Sequence, residues 1–256
     1  NLPDGLRAAI TESIARVRKV SQATLPRAVS LEVSVGGAVE TRFVPVDSVG
    51  LYVPGGKAVY PSSTVMNVVP AQVAGVPRIA VSSPAQRDND GLPSRVVLAT
   101  CSLLGIDEVY SIGGASAIAA FAFGVPEIGM EPVRMVTGPG NIYVAAAKRQ
   151  LRSQIAIDSE AGPTEILIIA DESANPAFVA ADLISQAEHD ENAASVLLTT
   201  SQPLIDQVLA ELDWQGSKTA NSNRVASALG GNQSAAVLVE SIDQAIYIAN
   251  EYATEH

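Results

Sequence analysis

The sequence predicts an α/β fold with mainly parallel sheets. Short runs rich in Val, Ile and Leu alternate with helical segments of roughly ten to fifteen residues, a pattern typical of parallel strands joined by crossover helices. Hydrophobic residues make up 47% of the 256 residues and aromatic residues only 4%, which favours small-residue helices on buried strands over an aromatic-rich β-sandwich. Glycine-rich turns follow several of the predicted strands, as expected where parallel strands lead into helices.

The chain begins with a predicted amphipathic helix at 4–20, followed by strands at 30–37 and 38–46. Gly36-Gly37 is predicted to form the hairpin-type turn between them. A first series of strand–turn–helix units comes next. Its strands, each with the turn that follows, are predicted at 49–56, 78–84, 107–114 and 133–140, and its helices at 63–74, 93–105, 115–124 and 141–151.

A linker at 156–163 interrupts the alternation, which then resumes. The strands of this second series are predicted at 164–171, 194–201 and 235–241, and its helices at 175–190, 202–214 and 242–256. The interruption indicates two α/β units. We expect residues 52–163 to form an inserted unit, and residues 164–256 to be completed by residues 1–51.

Composition argues against several classes of partner. The net charge is −11, with 16 Lys and Arg against 27 Asp and Glu, whereas nucleic acid or an anionic membrane would require a basic face. No apolar run approaches the ~20 residues of a membrane span, and the N-terminal residues lack a signal-peptide pattern. Cys101 is the single cysteine and stands among leucines, which predicts a buried structural thiol and fits a cytoplasmic location.

The strand-to-helix turns are the first candidates for a ligand site, because ligands of parallel sheets bind beyond the carboxyl ends of the strands. Three such turns contain glycine: 52–56, 113–116 and 138–141. Glycine lets a phosphate approach the free backbone N–H groups at the start of the next helix. None of the three matches GxGxxG or a Walker A loop, so ordinary tight turns are an equally good interpretation from these residues alone.

The segment DLISQAEH, residues 182–189, contains a candidate pair of metal ligands. Gln186 and His189 lie three residues apart, so on a helix they share a face, with Asp182 one turn earlier. An amide oxygen and an imidazole can supply half of a metal site. From spacing alone, a polar end of a surface helix is the commoner explanation.

Glu255-His256, the last two residues, form a second candidate pair. Imidazole titrates near neutral pH, so this pair could supply a general base and its partner. A polar helix end is again the ordinary explanation. Because the sequence stops on this pair within a helical pattern, we expect it to be a portion of a longer polypeptide.

Taken in order, six segments resemble histidinol dehydrogenases. They are GLYVPGG, GGASAIAA, GPGN before a helix ending in AKRQ, AGPTE, DLISQAEH and the late Glu-His pair. The resemblance runs from about residue 1 to residue 256, and it implies two incomplete Rossmann-like units. It also implies a zinc-containing, NAD-dependent homodimer that oxidises L-histidinol through L-histidinaldehyde to L-histidine, the last steps of histidine biosynthesis.

The resemblance assigns metal and substrate roles in the second series of elements. Gln186 and His189 match two zinc ligands that also contact the substrate. Thr164 stands where the family usually has a serine that touches histidinol, and it keeps the hydroxyl. Glu255 and His256 match the acid–base pair, and His256 also matches a substrate contact.

The resemblance assigns NAD contacts in the first series. Tyr52 and Asn141 match two of these contacts. The third is usually a glutamine after GGA, and here it is Ser116, which is shorter and lacks the amide. The contact at Ser116 is therefore the one that the resemblance supports least.

The resemblance also shows what lies outside the sequence. The family's other zinc ligands, an aspartate soon after the Glu-His pair and a C-terminal histidine supplied by the partner subunit, would lie beyond residue 256. The family's N-terminal helical portion is absent as well. Zinc normally takes four ligands, or three and an exchangeable position, so we expect these 256 residues alone to be metal-free and inactive.

Two other functions stay open. One is a non-catalytic α/β module that keeps the glycine turns and binds a ligand without turnover. The other is a metal-dependent hydrolase that uses Gln186, His189 and His256. NAD-independent turnover would indicate the hydrolase, and tight histidinol binding without turnover would indicate the binding module.

Overall fold

The computed structural model describes residues 2–55, 59–160 and 164–256. The chain divides into two units, Asn1–Gly162 and Pro163–His256. Each contains a parallel sheet connected through helices, so the predicted α/β fold with mainly parallel sheets is confirmed. Within the described ranges, no helix combines the length and the apolar character needed to cross a membrane.

The first unit is built on a five-stranded parallel sheet. Its elements are α1 (Asp4–Thr24), β1 (Val29–Ser34), β2 (Gly37–Thr41), β3 (Ser48–Tyr52), α2 (Pro61–Ala74), β4 (Arg78–Ser82), α3 (Arg95–Leu103), β5 (Val109–Tyr110), α4 (Gly114–Phe123), β6 (Met135–Thr137), α5 (Ile142–Leu151) and β7 (Ala156–Ile157), with short 3₁₀ turns at Arg87–Asn89 and Pro126–Ile128. The strand order is β5-β4-β3-β6-β7, and every pair is parallel. This is the Rossmann arrangement, in which the order reverses beside the first strand. The strands β1 and β2 form a separate antiparallel hairpin, as the Gly36-Gly37 turn predicts.

The core of the first unit centres on β3, whose five residues are all buried. Helices cover both faces of such a sheet, which explains why its strands read as continuous apolar runs. The N-terminal helix α1 joins this core: Ile10 is 5% exposed and packs in the cluster of Val65 and Val68 from α2. Arg18 Nη2 also donates a 2.9 Å hydrogen bond to Gln72 Oε1 on α2.

Residues 1–51 belong to the same unit as residues 52–162, whereas the sequence analysis groups them with 164–256. The physical reason is that β3, at the end of this segment, is the central strand of the first sheet. The helix and hairpin that precede β3 carry no local sequence pattern that shows which unit they join. The boundary near residue 163, in contrast, coincides with the predicted linker. That linker includes the short strand β7, which extends the sheet next to β6.

The second unit has a three-stranded parallel sheet in the order β10-β9-β8. Its elements are β8 (Glu165–Ala170), α6 (Pro176–Ala187), β9 (Ala194–Thr199), α7 (Gln202–Gly216), α8 (Ser222–Leu229), β10 (Ala235–Leu238) and α9 (Ile242–Tyr252). Helix α8 was not predicted. It is eight residues long and buries only Val225 and Ala228, so it offers few apolar positions to a sequence pattern.

Two helices end earlier than their sequence patterns suggest. Helix α6 ends at Ala187 and α9 at Tyr252, so the prediction of a helix through residue 256 is wrong. Ala253 adopts a left-handed conformation with φ 51° and ψ 54°, which stops the helix. The next residues run alongside β8, where His256 N–H donates to Glu165 O (3.2 Å) and Leu167 N–H donates to His256 O (3.0 Å).

Candidate functional site

The first candidate site lies where the strand order of the first sheet reverses, between β3 and β6. In open parallel sheets the crevice outside the carboxyl ends of these strands is the usual ligand position. Tyr52 is the last residue of β3, and Gly138 directly follows β6. The glycine turn 113–116 lies at the start of α4. The predicted turn after β3 includes Gly56, which lies outside the described residues.

Tyr52 connects all three turns. Its side chain is 4% exposed, and its Oη accepts a 3.0 Å hydrogen bond from Gly114 N–H. Its carbonyl oxygen lies so close to Gly138 that a Cβ added at Gly138 would stand 2.1 Å away. Gly138 has φ +113°, a conformation that favours glycine. The structure thus brings Tyr52 together with the second and third predicted turns.

Asn141 and Ser116 are exposed on the helices that follow these turns. Asn141 is the N-cap of α5: its Oδ1 accepts from Tyr143 N–H (3.1 Å) and Val144 N–H (3.2 Å). The cap occupies the oxygen and leaves the amide nitrogen as a donor. Ser116 stands in the first turn of α4, two residues after Gly114, and is exposed.

An ion pair that the sequence analysis missed holds the third turn. Lys148 on α5 is 1% exposed, and its Nζ donates to Asp158 Oδ1 (2.6 Å) and to Gly138 O (2.5 Å). Asp158 Oδ2 accepts from Gly138 N–H (2.8 Å). A lysine in the helical segment AKRQ looks solvent-exposed in sequence. The only available signal was its place on the same side of α5 as apolar Val144.

The second candidate site is in the second unit and starts from Gln186. This residue is 5% exposed, in the last turn of α6, and its Nε2 donates a hydrogen bond to Thr164 Oγ1. Thr164 directly precedes β8, and its carbonyl oxygen accepts from Ala194 N–H at the start of β9 (3.3 Å). The amide orientation that this bond requires leaves Gln186 Oε1 free of the Thr164 contact. The hydrogen bond to Thr164 therefore sets the orientation of the Gln186 amide.

His189 follows α6 in a turn and is exposed. Its backbone N–H donates to Gln186 O (3.1 Å), so His189 lies in the turn that directly continues the last turn of α6. The turn is held from outside by Arg224, whose Nη1 donates to Glu188 O (2.9 Å). Asp182, one turn before Gln186, is exposed on α6.

Glu255 and His256 lie beside the same end of β8. Both side chains are exposed, and the backbone of His256 pairs with Glu165 and Leu167 on the edge of β8 that faces away from β9. Thr164 is adjacent in sequence to Glu165. The predicted residues of the second unit therefore gather at the amino end of β8, opposite to the edge that the general rule for parallel sheets favours.

The acidic, His and Cys side chains alone do not complete a metal site. Among the described residues, no group of three or more His, Cys, Asp or Glu side chains could hold a metal ion. Cys101 is 1% exposed in the core of the first unit, and burial raises the pKa of its thiol to about 12. The predicted buried thiol is confirmed, and its high pKa makes it a poor nucleophile and metal ligand.

A groove of about 890 Å³ lies elsewhere in the second unit. It runs between α7, α8 and β10, and Leu209, Asp213 and Asn223 are among its lining residues. None of the predicted site residues lines it. The volume of this groove therefore does not mark it as the candidate site, because the predicted residues of the second unit cluster at the amino end of β8.

The strand order, with a tyrosine and two glycine turns at the reversal, defines a Rossmann-like α/β protein. The sequence model of the histidinol dehydrogenase family matches residues 1–256. Histidinol dehydrogenase from Leifsonia xyli subsp. xyli is 57% identical over 255 residues, covering 100% of this chain and 58% of that protein. Histidinol dehydrogenase from Thermobifida fusca is 59% identical over 251 residues, covering 98% of this chain and 57% of that protein.

A solved structure gives the same result. The crystal structure of histidinol dehydrogenase from Elizabethkingia anophelis matches with a TM-score of 0.89 at 36% identity, covering 100% of this chain and 58% of that chain. The chain belongs to the histidinol dehydrogenase family. It spans less than two thirds of the length of each of these three relatives.

Proposed function

We propose that the natural protein containing this chain oxidises L-histidinol through L-histidinaldehyde to L-histidine, with two NAD and a zinc ion, in the last steps of histidine biosynthesis. The observation that carries the proposal is the hydrogen bond from Gln186 to Thr164, with His189 in the adjoining turn. Gln186, His189 and Thr164 would supply an amide oxygen, an imidazole and a hydroxyl near the amino end of β8. The identity of 57% and 59% to two histidinol dehydrogenases supports the choice of substrate.

The donor set fits zinc. Gln186 offers Oε1, because its Nε2 is committed to Thr164, and His189 offers an exposed imidazole. Imidazole nitrogen is a common zinc ligand, and zinc also accepts side-chain oxygen ligands. Two donors are half of a tetrahedral set, so we propose that the remaining ligands come from outside these 256 residues.

The turns at the β3–β6 reversal fit NAD. Gly114 begins α4, and no atom lies within 4 Å of the place where its Cβ would stand, which leaves room for a ligand beside the helix start. Tyr52 Oη can donate its proton outward, because it accepts from Gly114 N–H. Asn141 presents its amide nitrogen from the cap of α5, and Ser116 a hydroxyl from the first turn of α4.

These residues would share the chemistry as follows. When bound, NAD would accept hydride from the alcohol carbon and then from the hydrated aldehyde, and zinc would hold the substrate's imidazole and amino groups. Thr164 Oγ1 accepts from Gln186, so its own proton is available to the substrate. Glu255 and His256 would remove the alcohol proton in the first oxidation and activate water for the second.

The wider assembly is part of the same proposal. We propose a homodimer in which the partner subunit completes the zinc site, in the cytoplasm, without a nucleic-acid or membrane partner. The net charge of −11 supports the last point, since it disfavours anionic surfaces. Sedimentation of the natural protein with and without zinc would test the dimer.

The experiment that tests the function is NADH formation from L-histidinol by the natural protein at full length, with and without a zinc chelator. Two NADH per histidine, lost on chelation and in Gln186→Ala and His189→Ala, is the expected result. A folded, zinc-loaded protein that binds histidinol without forming NADH would instead favour the non-catalytic binding module. Turnover without NAD would favour the hydrolase.

A further inference from the structure

The Lys148–Asp158 pair has an unusual position for a stabilising contact. Lys148 Nζ is withdrawn from water on a side chain only 1% exposed, while the Asp158 side chain is 32% exposed. Burying an ammonium group is costly, and a buried ion pair often stabilises a fold no better than apolar residues of the same size. The pair therefore calls for an explanation beyond stability.

Its hydrogen bonds converge on a single residue. Asp158 accepts from Gly138 N–H, and Lys148 donates to Gly138 O, so both backbone polar groups of Gly138 are bound by one ion pair. Gly138 also lies against the Tyr52 carbonyl oxygen, where no larger residue fits. The first residue of the turn 138–141 is thereby fixed from three sides.

The pair also fixes the helix that follows the turn. Lys148 stands seven residues, or about two helical turns, after Asn141 and so on the same side of α5. Asp158 directly follows β7, the neighbour of β6 in the sheet. The ion pair thus connects the body of α5 to the end of the sheet, on both sides of the turn. Neither α5 nor the turn can rotate without breaking it.

We infer that Lys148 and Asp158 are positioning residues that orient the turn 138–141 and the Asn141 cap toward the dinucleotide. The inference rests on the proposed NAD function of this turn. It assigns a role to two residues that touch no reacting atom. They set the direction of the Gly138 peptide and of α5, and through these the placement of Asn141.

The neighbouring pair offers a matched control. Arg149 Nε donates to Glu160 Oε2 (2.6 Å), one position after Lys148, but the Arg149 side chain is 67% exposed. It carries the same charge on the same helix without contacting the turn. Arg149→Gln therefore removes a charge without disturbing Gly138.

The test measures NADH binding by calorimetry and thermal unfolding on the natural protein at full length. Lys148→Met and Asp158→Asn each leave one partner unpaired, and we expect both to lower Tm and weaken NADH binding. The double variant removes both charges and the donor to Gly138 O. We expect it to recover most of the Tm but to keep an NADH dissociation constant at least about tenfold above wild type. Its KM for NAD should rise by a similar factor while its KM for L-histidinol stays unchanged.

The outcomes distinguish a positioning role of the Lys148–Asp158 pair from a purely structural role. A folded double variant that binds NADH like wild type, or one that does not fold, would show that the pair only maintains structure, and would overturn the inference. Wild-type protein that does not bind NADH would overturn the proposed cofactor and the inference together. Arg149→Gln with the same loss of affinity as the double variant would also overturn it, since charge alone would then explain the effect.

Discussion

Tyr52 Oη accepts a hydrogen bond from the backbone N–H of Gly114, 62 positions further along the chain. The bond joins the end of the central strand β3 to the start of α4, across the point where the sheet order reverses. It gives the buried phenol an orientation and satisfies one of the unpaired N–H groups at a helix start. Two of the turns proposed to bind NAD are thus linked by a hydrogen bond before any ligand binds.

Tyr52→Phe should weaken both stability and cofactor binding. The change removes the acceptor for Gly114 N–H, and an unpaired, partly buried donor costs about 1–3 kcal/mol. Chemical unfolding should show that loss, and NADH titration a higher dissociation constant.

Tyr247→Phe is the control for this change, because Tyr247 lies on α9 with its side chain 66% exposed. Tyr247→Phe should change neither the free energy of unfolding nor the NADH dissociation constant. Wild-type stability in Tyr52→Phe would mean that water replaces the phenol at Gly114.

Gly138→Ala should be one of the most destabilising small substitutions in the chain. The added Cβ would stand 2.1 Å from Tyr52 O, and φ +113° is strained for alanine, so we expect a loss of at least about 2 kcal/mol in unfolding free energy. Gly91→Ala separates the two causes, because Gly91 has φ +77° but open space around it. If both variants lost the same stability, backbone strain alone would be responsible and the close approach to Tyr52 irrelevant.

Thr164→Val should disturb the proposed metal site through Gln186. The variant keeps the shape of the side chain but removes the acceptor of Gln186 Nε2, so the buried amide can reorient and no longer presents Oε1. Zinc content and zinc affinity of the natural protein at full length should fall, as should turnover. Thr164→Ser keeps the hydroxyl and should behave like wild type. Equal zinc affinity in Thr164→Val and Thr164→Ser would contradict the role of this hydrogen bond.

Local pattern was enough to predict most helices and strands, and hence the first candidate site. Alternating elements imply a parallel sheet, and the sheet rule points to the turns where Tyr52 and the glycines indeed meet. The pairing of residues 1–51 could not be predicted in the same way. It depends on β3 taking the central place of the five-stranded sheet, and strand order is decided by long-range packing that local periodicity does not encode.

The second site shows a different limit. Helical spacing in the sequence predicted that Gln186 and His189 share a face. The family resemblance added Thr164 and the roles of Glu255 and His256. Periodicity extended the last helix through His256, because it does not register that Ala253 leaves the helix with a positive φ. The buried Lys148 was missed for a similar reason. Its partner Asp158 comes from another element, and charge patterns along one helix do not show such a pair.

The stability of the first unit should depend on pH through Glu108. Arg78 donates hydrogen bonds of 3.0 and 2.6 Å to its carboxylate, and this lowers the pKa of Glu108 below its ordinary value of 4.5. A lowered folded-state pKa contributes stability that is present above the ordinary value and is lost as pH falls through the folded-state pKa. Glu108→Gln should therefore lower Tm at pH ~7, and this difference in Tm should shrink as the pH falls below the ordinary pKa of 4.5 and through the lower folded-state pKa. A Tm difference that stays constant with pH would show that Glu108 acts only through packing. Glu40→Gln, on the exposed strand β2, is the control and should leave Tm unchanged.

Ala253 is the residue whose substitution best tests the path of the chain to His256. Its left-handed conformation ends α9 and turns residues 254–256 toward β8. Such a conformation costs alanine about 1–2 kcal/mol and glycine almost nothing, so Ala253→Gly should gain up to about 1 kcal/mol after the extra freedom of the unfolded chain is subtracted. Ala253→Val adds a β-branch at the same φ and should destabilise the turn.

In unfolding measurements, the protein with Gly at position 253 should be the most stable, the wild type with Ala intermediate, and the variant with Val the least stable. Turnover should follow a different pattern: unchanged in Ala253→Gly, and reduced in Ala253→Val, because loss of the turn releases His256 from Glu165 and Leu167. Wild-type stability together with wild-type turnover in Ala253→Val would mean that the left-handed turn is not used in the natural protein. The position of the Glu255-His256 pair beside Thr164 would then have to be abandoned, and with it their assignment as the acid–base pair.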